Sequence, residues 1–547
     1  MVSQPMHMSP RRPATRLLTA LIIAGLAFGA GAQSERRLPD LGSSANALIS
    51  PQEAQDYGAA MLRQMRALNM VVDDPLLNDY IKNLGFRLVA AYSRPKDHFA
   101  FFIAKDPEIN AFAAPGGYIA VNSGLFVIAQ NQSELAAVIA HEIGHITQHH
   151  LQRAFEASKK DAPLLALVLL GAIAAGSTHN GGDAGMAVLT GGQGLLEQKQ
   201  INFTRKDETE ADRVGIQTLA NAGFDPDAMA DFFQRMEDVM STGAGGEDVP
   251  ALLQDHPVTS IRISDAKARA RQLIAQQKLR PSGLTLDKSQ WASQTAPIPY
   301  VKDPTRLLAT PHHDTDDLDT FLLMRERVRV LAGDAQQLSL YYSSNLAKRH
   351  DFDTPSNRYG YALALTRSGN GNKAVTELQP LLVAHPGNQI LRLAMAGAHL
   401  QAGQRAQALA IYNDLNAASP RNRAISLDYA KALTQGGDKA QAAQAAALLR
   451  PLLDESDEPD IYTAYARASD KAGNSELAGE AFADASYLSG RPFDAVEQLK
   501  RLLKRPDLDY YARARIQGRL AELTPLVMEL RKRRIKTPDN PDSGQQQ

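Results

Sequence analysis

The sequence predicts a mainly α-helical chain in two parts. An N-terminal part folds helices around a small β-sheet, and a C-terminal part stacks paired helices into a solenoid. Three observations carry this. Gly369, Gly403 and Gly437 recur 34 residues apart, as do Ala374, Ala408 and Ala442. Three short β-like runs crowd into residues 98–122, flanked by segments with helical apolar spacing. Finally, His141-Glu142-Ile143-Gly144-His145 closes an apolar helical run, and its two histidines, four apart, share one helix face.

Composition bounds the chemistry. At about 150 residues per domain, the 547 residues allow three to four domains. The 59 Lys+Arg nearly cancel the 60 Asp+Glu, for a net charge of −1, which argues against a chain-wide nucleic-acid footprint. There is no cysteine. That excludes disulfides, cysteine nucleophiles, cysteine-bound zinc and a lipidated N-terminal cysteine. Any metal must be held by His, Asp or Glu.

The first residues predict an export signal. Arg11, Arg12 and Arg16 precede an apolar stretch from Leu17 to Phe28, and Ala30-Gly31-Ala32 follows as a small-x-small site. Cleavage is expected after Ala32. The apolar stretch is short for a membrane span; an uncleaved inner-membrane anchor is the alternative. An exported chain without cysteine suits a bacterial periplasm.

The elements follow in order. Residues 51–94 read as helical. Strands are expected at His98–Ile103, Glu108–Ala113 and Tyr118–Asn122, with Pro115-Gly116-Gly117 as a turn. Ser133 starts a helix that runs through Ala140. Residues 163–176 are apolar and small but too few to cross a bilayer, and a Gly-rich stretch at 181–193 follows. This region is either a buried helix with its loop or a segment that gates the site or touches a membrane. Another helix is expected over 205–222, closed by Gly223. The domain boundaries expected are a signal at 1–32, the first domain at 33–280, a polar linker at 281–303, the repeat domain at 304–505, and a C-terminal helix with a disordered tail at 506–547.

The pentapeptide at 141–145 is a metal-hydrolase pattern. Both imidazoles can reach one metal. Glu142 beside them can take a proton from the attacking water and pass it to the leaving amine. A third ligand is required. Position 151, where another protease class keeps a third histidine, is Leu151, and His149 and His150 lie too far along the same helix. The candidates are carboxylates of Lys206-Asp207-Glu208-Thr209-Glu210-Ala211-Asp212. Glu208 and Asp212 are four apart on one face, whereas Glu210 points the opposite way. Glu208 is therefore the expected ligand, and Asp212 is expected to orient a histidine or donate a proton.

HExxH followed by ExxxD on a later helix resembles the gluzincin family of the CAAX prenyl proteases and HtpX-like membrane proteases. Asn110-Ala111-Phe112-Ala113, leading into the Pro-Gly-Gly turn, is similar to the segment before the family's metal helix. There an edge strand pairs with the substrate backbone. Asp255-His256-Pro257, with Arg262 six residues after the histidine, resembles the family's His-Pro…Arg element. The resemblance implies a zincin-type fold over about residues 40–270 and one Zn2+ per chain. It places His256 as a fourth ligand that holds the enzyme closed, with a turn-capping or oxyanion-stabilising role left open. Arg262 holds Asp212, meets a substrate carbonyl or pairs on the surface.

The C-terminal period is that of tetratricopeptide repeats. Pro386 and Pro420 keep the 34-residue spacing, as do Asn388 and Asn422, and Gly473 and Ala478 continue the series after a two-residue insertion. About four helix pairs are expected over 320–505, with the basic run at 531–534 ending a solvated helix. Together with the export signal, this module makes the chain resemble the periplasmic β-barrel assembly-enhancing protease type. That resemblance implies a zinc endopeptidase with chaperone-like activity in quality control of outer-membrane β-barrel assembly. Its partners would be unfolded or stalled outer-membrane proteins and their assembly machinery. Nucleic acid is not expected, and peripheral membrane association is compatible with it. A repeat-based chaperone or scaffold whose protease domain is silent is the main alternative.

Overall fold

The computed structural model describes residues 50–92, 97–157, 204–242, 252–253, 256–279, 318–532 and 537–540. The expected signal, the 163–193 segment and the 281–303 linker lie outside these residues.

The stretch that reads as helical over 51–94 forms two helices, α1 (Pro51–Ala67) and α2 (Pro75–Ala91). Pro75 cannot continue a preceding helix, and Asp74 caps the new one by accepting from the Leu77 amide. Between them, Asn69 takes a left-handed φ of 56° and Val71 bridges to Ala104. Strands β1 (Ala100–Ala104), β2 (Ala111–Ala114) and β3 (Tyr118–Asn122) form one sheet in the order β1–β3–β2. β3 runs parallel to β1 and antiparallel to β2. The turn between β2 and β3 needs glycine. Gly116 and Gly117 have φ of 78° and 80°, and a Cβ on Gly117 would lie 1.6 Å from the His98 carbonyl oxygen.

A short α3 (Ser123–Ile128) leads to α4 (Gln132–Thr147), whose cap is Asn131 rather than Ser133; its side chain accepts from the Glu134 amide. The helix stops before His149, which is left-handed at φ 56°, and α5 (His150–Ala157) starts in a new direction. His149 and His150 therefore do not extend the motif helix. Then come α6 (Arg205–Asn221), α7 (Ala228–Thr242) and α8 (Ser260–Leu279). Thr204 and Asp207 close a reciprocal capping box at the start of α6, and Gly223, at φ 75°, follows its end.

Over 320–505, where about four helix pairs are expected, five pairs and a further helix stand, and that helix pairs with the expected C-terminal one: α9 (Thr320–Ala332) and α10 (Ala335–Lys348); α11 (Pro355–Arg367) and α12 (Gly371–Ala384); α13 (Gln389–Gln401) and α14 (Arg405–Ala418); α15 (Arg423–Thr434) and α16 (Lys439–Leu453); α17 (Pro459–Ala472) and α18 (Ser475–Leu488); α19 (Pro492–Leu503) and α20 (Tyr510–Lys532). The repeated residues have physical roles. Ala374, Ala408 and Ala442 are fully buried where helices cross. Asn388 and Asn422 cap α13 and α15 by accepting from the Leu391 and Ile425 amides. Gly369, Gly403 and Gly473 take positive φ after a helix; in the third repeat Gly436, not Gly437, does so. Residues 538–540, expected in a disordered tail, form part of a turn packed on α19, where the Asp494 amide donates to Asp539.

The repeats are not tethered at a distance from the first domain. One apolar core runs from Val72 and the sheet through α4 to Ala398 in α13. Phe126 of α3 stacks on Phe321 of α9 with ring centroids 5.9 Å apart. Arg327 of α9 grips the cap residue Asp74 with contacts of 2.8 and 2.6 Å. Arg423 of α15 pairs with Asp79 of α2, and Lys82 of α2 with Asp457 at 3.2 Å. Among the described residues, no helix is long and apolar enough to cross a membrane.

Candidate metal centre

α4 is buried on every side from Glu134 to His145. Leu135, Ala136, Ala137, Ile139, Ala140 and Ile143 are all buried, so the motif it carries lies inside the domain. Small residues let α6 approach. A Cβ on Gly144 would sit 3.0 Å from the Ala211 carbonyl oxygen, and one on Gly215 would sit 3.2 Å from the His141 amide nitrogen. This close crossing sets Glu208 and Asp212, one turn apart on α6, against His141 and His145 on α4.

The side chains converge. His145 Nε2 lies 2.9 Å from His141 Nε2. Glu208 reaches both, with Oε2 at 3.5 Å from His141 Nε2 and Oε1 at 3.4 Å from His145 Nε2. His256 joins from the segment before α8, its Nδ1 at 2.9 Å from Glu208 Oε1 and 3.4 Å from His141 Nε2. One ligand atom from each of these four residues falls within 4.8 Å of the others, and all four residues are buried. Glu142 is 1% exposed and faces the same cluster, Oε1 lying 3.7 Å from His256 Nε2.

A second ring of contacts fixes this geometry. Asp212 Oδ1 lies 2.9 Å from His141 Nδ1. A carboxylate there keeps the proton on Nδ1 and turns the Nε2 lone pair into the cluster, the tautomer a metal ligand needs. Arg262 grips Asp212 through Nε and Nη2 at 2.7 and 2.8 Å. Its Nη1 lies 2.9 Å from Glu208 Oε2 and donates to the Pro257 carbonyl at 2.8 Å. Of the roles expected for Arg262, holding Asp212 is the one it fills here, and it holds Glu208 as well.

The electrostatics suit a cation. Burial alone would lower the His141 pKa, but hydrogen bonds to Asp212 and Glu208 hold it up at about 10, so the cage favours positive charge at this imidazole. Burial would raise Glu208, yet hydrogen bonds from His141 and His256 keep it far below the usual carboxylate range. Asp212 is likewise lowered, against its burial, by Arg262 and His141. An ionised carboxylate gripped in this way has no proton to donate, so of the two roles expected for Asp212 the geometry favours orienting His141. Two imidazole nitrogens and a carboxylate oxygen fit a metal with an open fourth position, which His256 is placed to fill.

Other expected residues fall as follows. Ala111, Phe112 and Ala113 lie in β2, which among the described residues pairs with β3 alone and so is an edge; Asn110 immediately precedes it. The Leu252 amide donates to the Ile109 carbonyl at 3.1 Å, which ties the segment before His256 to the start of that edge. Glu210 points away from the cluster, as helix geometry requires. Sequence reasoning sets His150 aside as too far along the motif helix, and assigns it no role. The left-handed turn at His149 folds its ring back onto His145, and no local pattern announces that turn.

Comparison with known proteins follows the same residues. Residues 75–270 match the model of peptidase family M48. A Vibrio cholerae relative is 43% identical over 259 residues, a stretch that takes in 47% of this chain but only about half, 52%, of the relative. The chain is 33% identical over 521 residues to the beta-barrel assembly-enhancing protease of Yersinia pestis, covering 94% of this chain and 98% of that one. To the Escherichia coli K12 protein of the same description it is 32% identical over 433 residues, 72% of this chain and 80% of the other. With both metal-site helices inside the matched region and a relative aligned over nearly its whole length, the chain belongs to the M48 metallopeptidases.

Proposed function

We propose that this protein is a periplasmic zinc endopeptidase that acts on outer-membrane β-barrel proteins during their assembly. The observation that supports it best is the buried convergence of His141, His145, Glu208 and His256, with Glu142 beside them. His141, His145 and Glu208 would hold the zinc. A bound zinc supplies Lewis acidity toward the scissile carbonyl and lowers the pKa of water toward about 7. Glu142 takes the proton of the attacking water and delivers it to the leaving amine. Asp212 and Arg262 keep His141 and Glu208 aimed. The edge strand at Ala111–Ala113, with Asn110, is the place for an extended substrate.

His256 is read as a latch on the fourth position. His256 Nδ1 lies 2.9 Å from Glu208 Oε1 and 3.4 Å from His141 Nε2. This position supports a resting enzyme in which the His256 side chain must leave before substrate enters. The helical pairs are read as tetratricopeptide repeats that hold protein segments and lend chaperone-like help, as a concave repeat array does. The substrate class rests on the printed names of the relatives, and export rests on the N-terminal signal pattern.

The test is metal analysis combined with cleavage of casein and of an unassembled β-barrel protein by wild type and Glu142→Gln. The variant should retain one zinc per chain and lose proteolysis. Near-normal cleavage by that variant would remove Glu142 as the base. Full metal with no cleavage by wild type, even with His256→Ala, would favour the silent-scaffold alternative.

A further inference from the structure

The two motif histidines are supported differently. His141 rests its Nδ1 directly on the carboxylate of Asp212. His145 meets another histidine at the corresponding ring atom. Its Nδ1 instead lies 3.0 Å from Nδ1 of His150, whose side chain is completely buried at the start of α5. On the far side of that ring, His150 Nε2 lies 3.3 Å from Glu210 Oε2. Glu210 is in turn held by Arg153 at 3.1 Å, and Arg153 also reaches Asp207 at 3.0 Å.

Proton positions follow from these contacts. If His145 offers Nε2 to a metal, its only N–H is on Nδ1. That N–H can donate to His150 Nδ1, which faces it at 3.0 Å and accepts only when His150 carries its proton on Nε2. That Nε2–H then donates to Glu210. The three groups satisfy one another in one arrangement of protons. The guanidinium of Arg153 already fills the cationic place between Asp207 and Glu210, so this outer cluster needs no metal of its own.

We infer that His150 is a positioning residue for the metal ligand His145, and that Glu210 acts through it: the relay Glu210–His150–His145 does for the second histidine what Asp212 does for the first. Such partners fix the tautomer and ring plane of a ligand and raise its basicity. The inference rests on the proposed reading of His145 as a ligand. It also gives Glu210 a purpose that its outward direction on α6 concealed.

The test is zinc affinity of the full-length protein, measured by competition with a chelator, with the thermal midpoint of each metal-free form recorded alongside. His150→Leu, which has no acceptor, should weaken zinc binding by about 10-fold to 100-fold. His150→Asn, whose Oδ1 can stand where Nδ1 stood, should stay within about threefold of wild type, consistent with a retained acceptor. Glu210→Ala removes a side chain that is 37% exposed and so spares the fold; it should weaken binding by several-fold, in line with loss of an outer support. Equal losses for His150→Leu and His150→Asn would mean that the ring only fills space and would overturn the relay, as would unchanged affinity in Glu210→Ala and His150→Leu. His145→Ala separates the two levels: if it keeps wild-type zinc affinity, the site reading itself has failed; if it loses zinc while His150→Leu does not, only the relay has.

Discussion

Glu458→Gln tests how the repeats are held to the protease. Glu458 stands at the N-cap position of α17, makes no side-chain capping hydrogen bond there, and has its side chain 2% exposed. The charges around it come from three elements. Lys82 and Asp79 face it from α2, with Lys82 Nζ at 3.8 Å; Arg423 faces it from α15 at 3.6 Å; Asp457 precedes it. With Arg66, 3.9 Å from Asp457 and paired with Asp73 at 3.0 Å, three cations thus serve four carboxylates. Burial, opposed by Lys82 and Arg423 and reinforced by Asp79 and Asp457, pushes the Glu458 carboxyl up to about 7 from 4.5. A folded pKa above the unfolded one means that the native state binds the extra proton. The fold is therefore favoured at acid pH, loses stability as pH rises from about 4.5 through about 7, and is level above that. The whole shift corresponds to about 3 kcal/mol withheld at pH 8, and under about 1 kcal/mol at pH 5. Glutamine keeps the shape without the charge. The variant should melt a few degrees higher than wild type at pH 8 and nearly level with it at pH 5. Because both proteins share every other titrating group, including the metal site, the difference of differences isolates Glu458. An equal shift at both pH values, or a loss at pH 8, would refute the account of an excess buried carboxylate.

Three further outcomes follow from the same contacts. Arg327→Met leaves the part-buried Asp74 without its guanidinium partner at the start of α2 and should lower stability by about 1.5–3 kcal/mol; chemical denaturation of the two proteins checks this, and a change under about 0.5 kcal/mol would contradict it. Glu208→Gln should cost zinc far more dearly than Glu210→Gln, since Glu208 faces both histidines while Glu210 supports only through His150; metal content after dialysis compares them. Ending the chain at residue 279 removes Phe321 from Phe126 and Arg327 from Asp74, so the shortened protein should aggregate or lose zinc; a soluble, zinc-loaded fragment would show that the shared core is not needed.

Local periodicity made much of this protein legible. Four-residue spacing puts His141 with His145, and Glu208 with Asp212, wherever the helices go, because α-helical geometry depends on the backbone alone. The 34-residue recurrence of Asn388 and Asn422 announces helix starts, since a cap acts within three residues of itself. Pro75 and Asp74 mark a helix break by equally local means, although the apolar spacing of 51–94 masks them. The distances between elements are not local. Gly144 against Ala211 brings the two metal helices together, and Arg262, 50 residues from Asp212, holds the second carboxylate layer. His150 returns to His145 through one left-handed residue that carries no sequence signature. The repeats lie along α2 because Arg327, Arg423 and Asp457 meet Asp74, Asp79 and Lys82 across hundreds of residues. Charge pairs of that kind are selected by packing, so only the tertiary structure decided that a separable-looking array is part of the protease's own core.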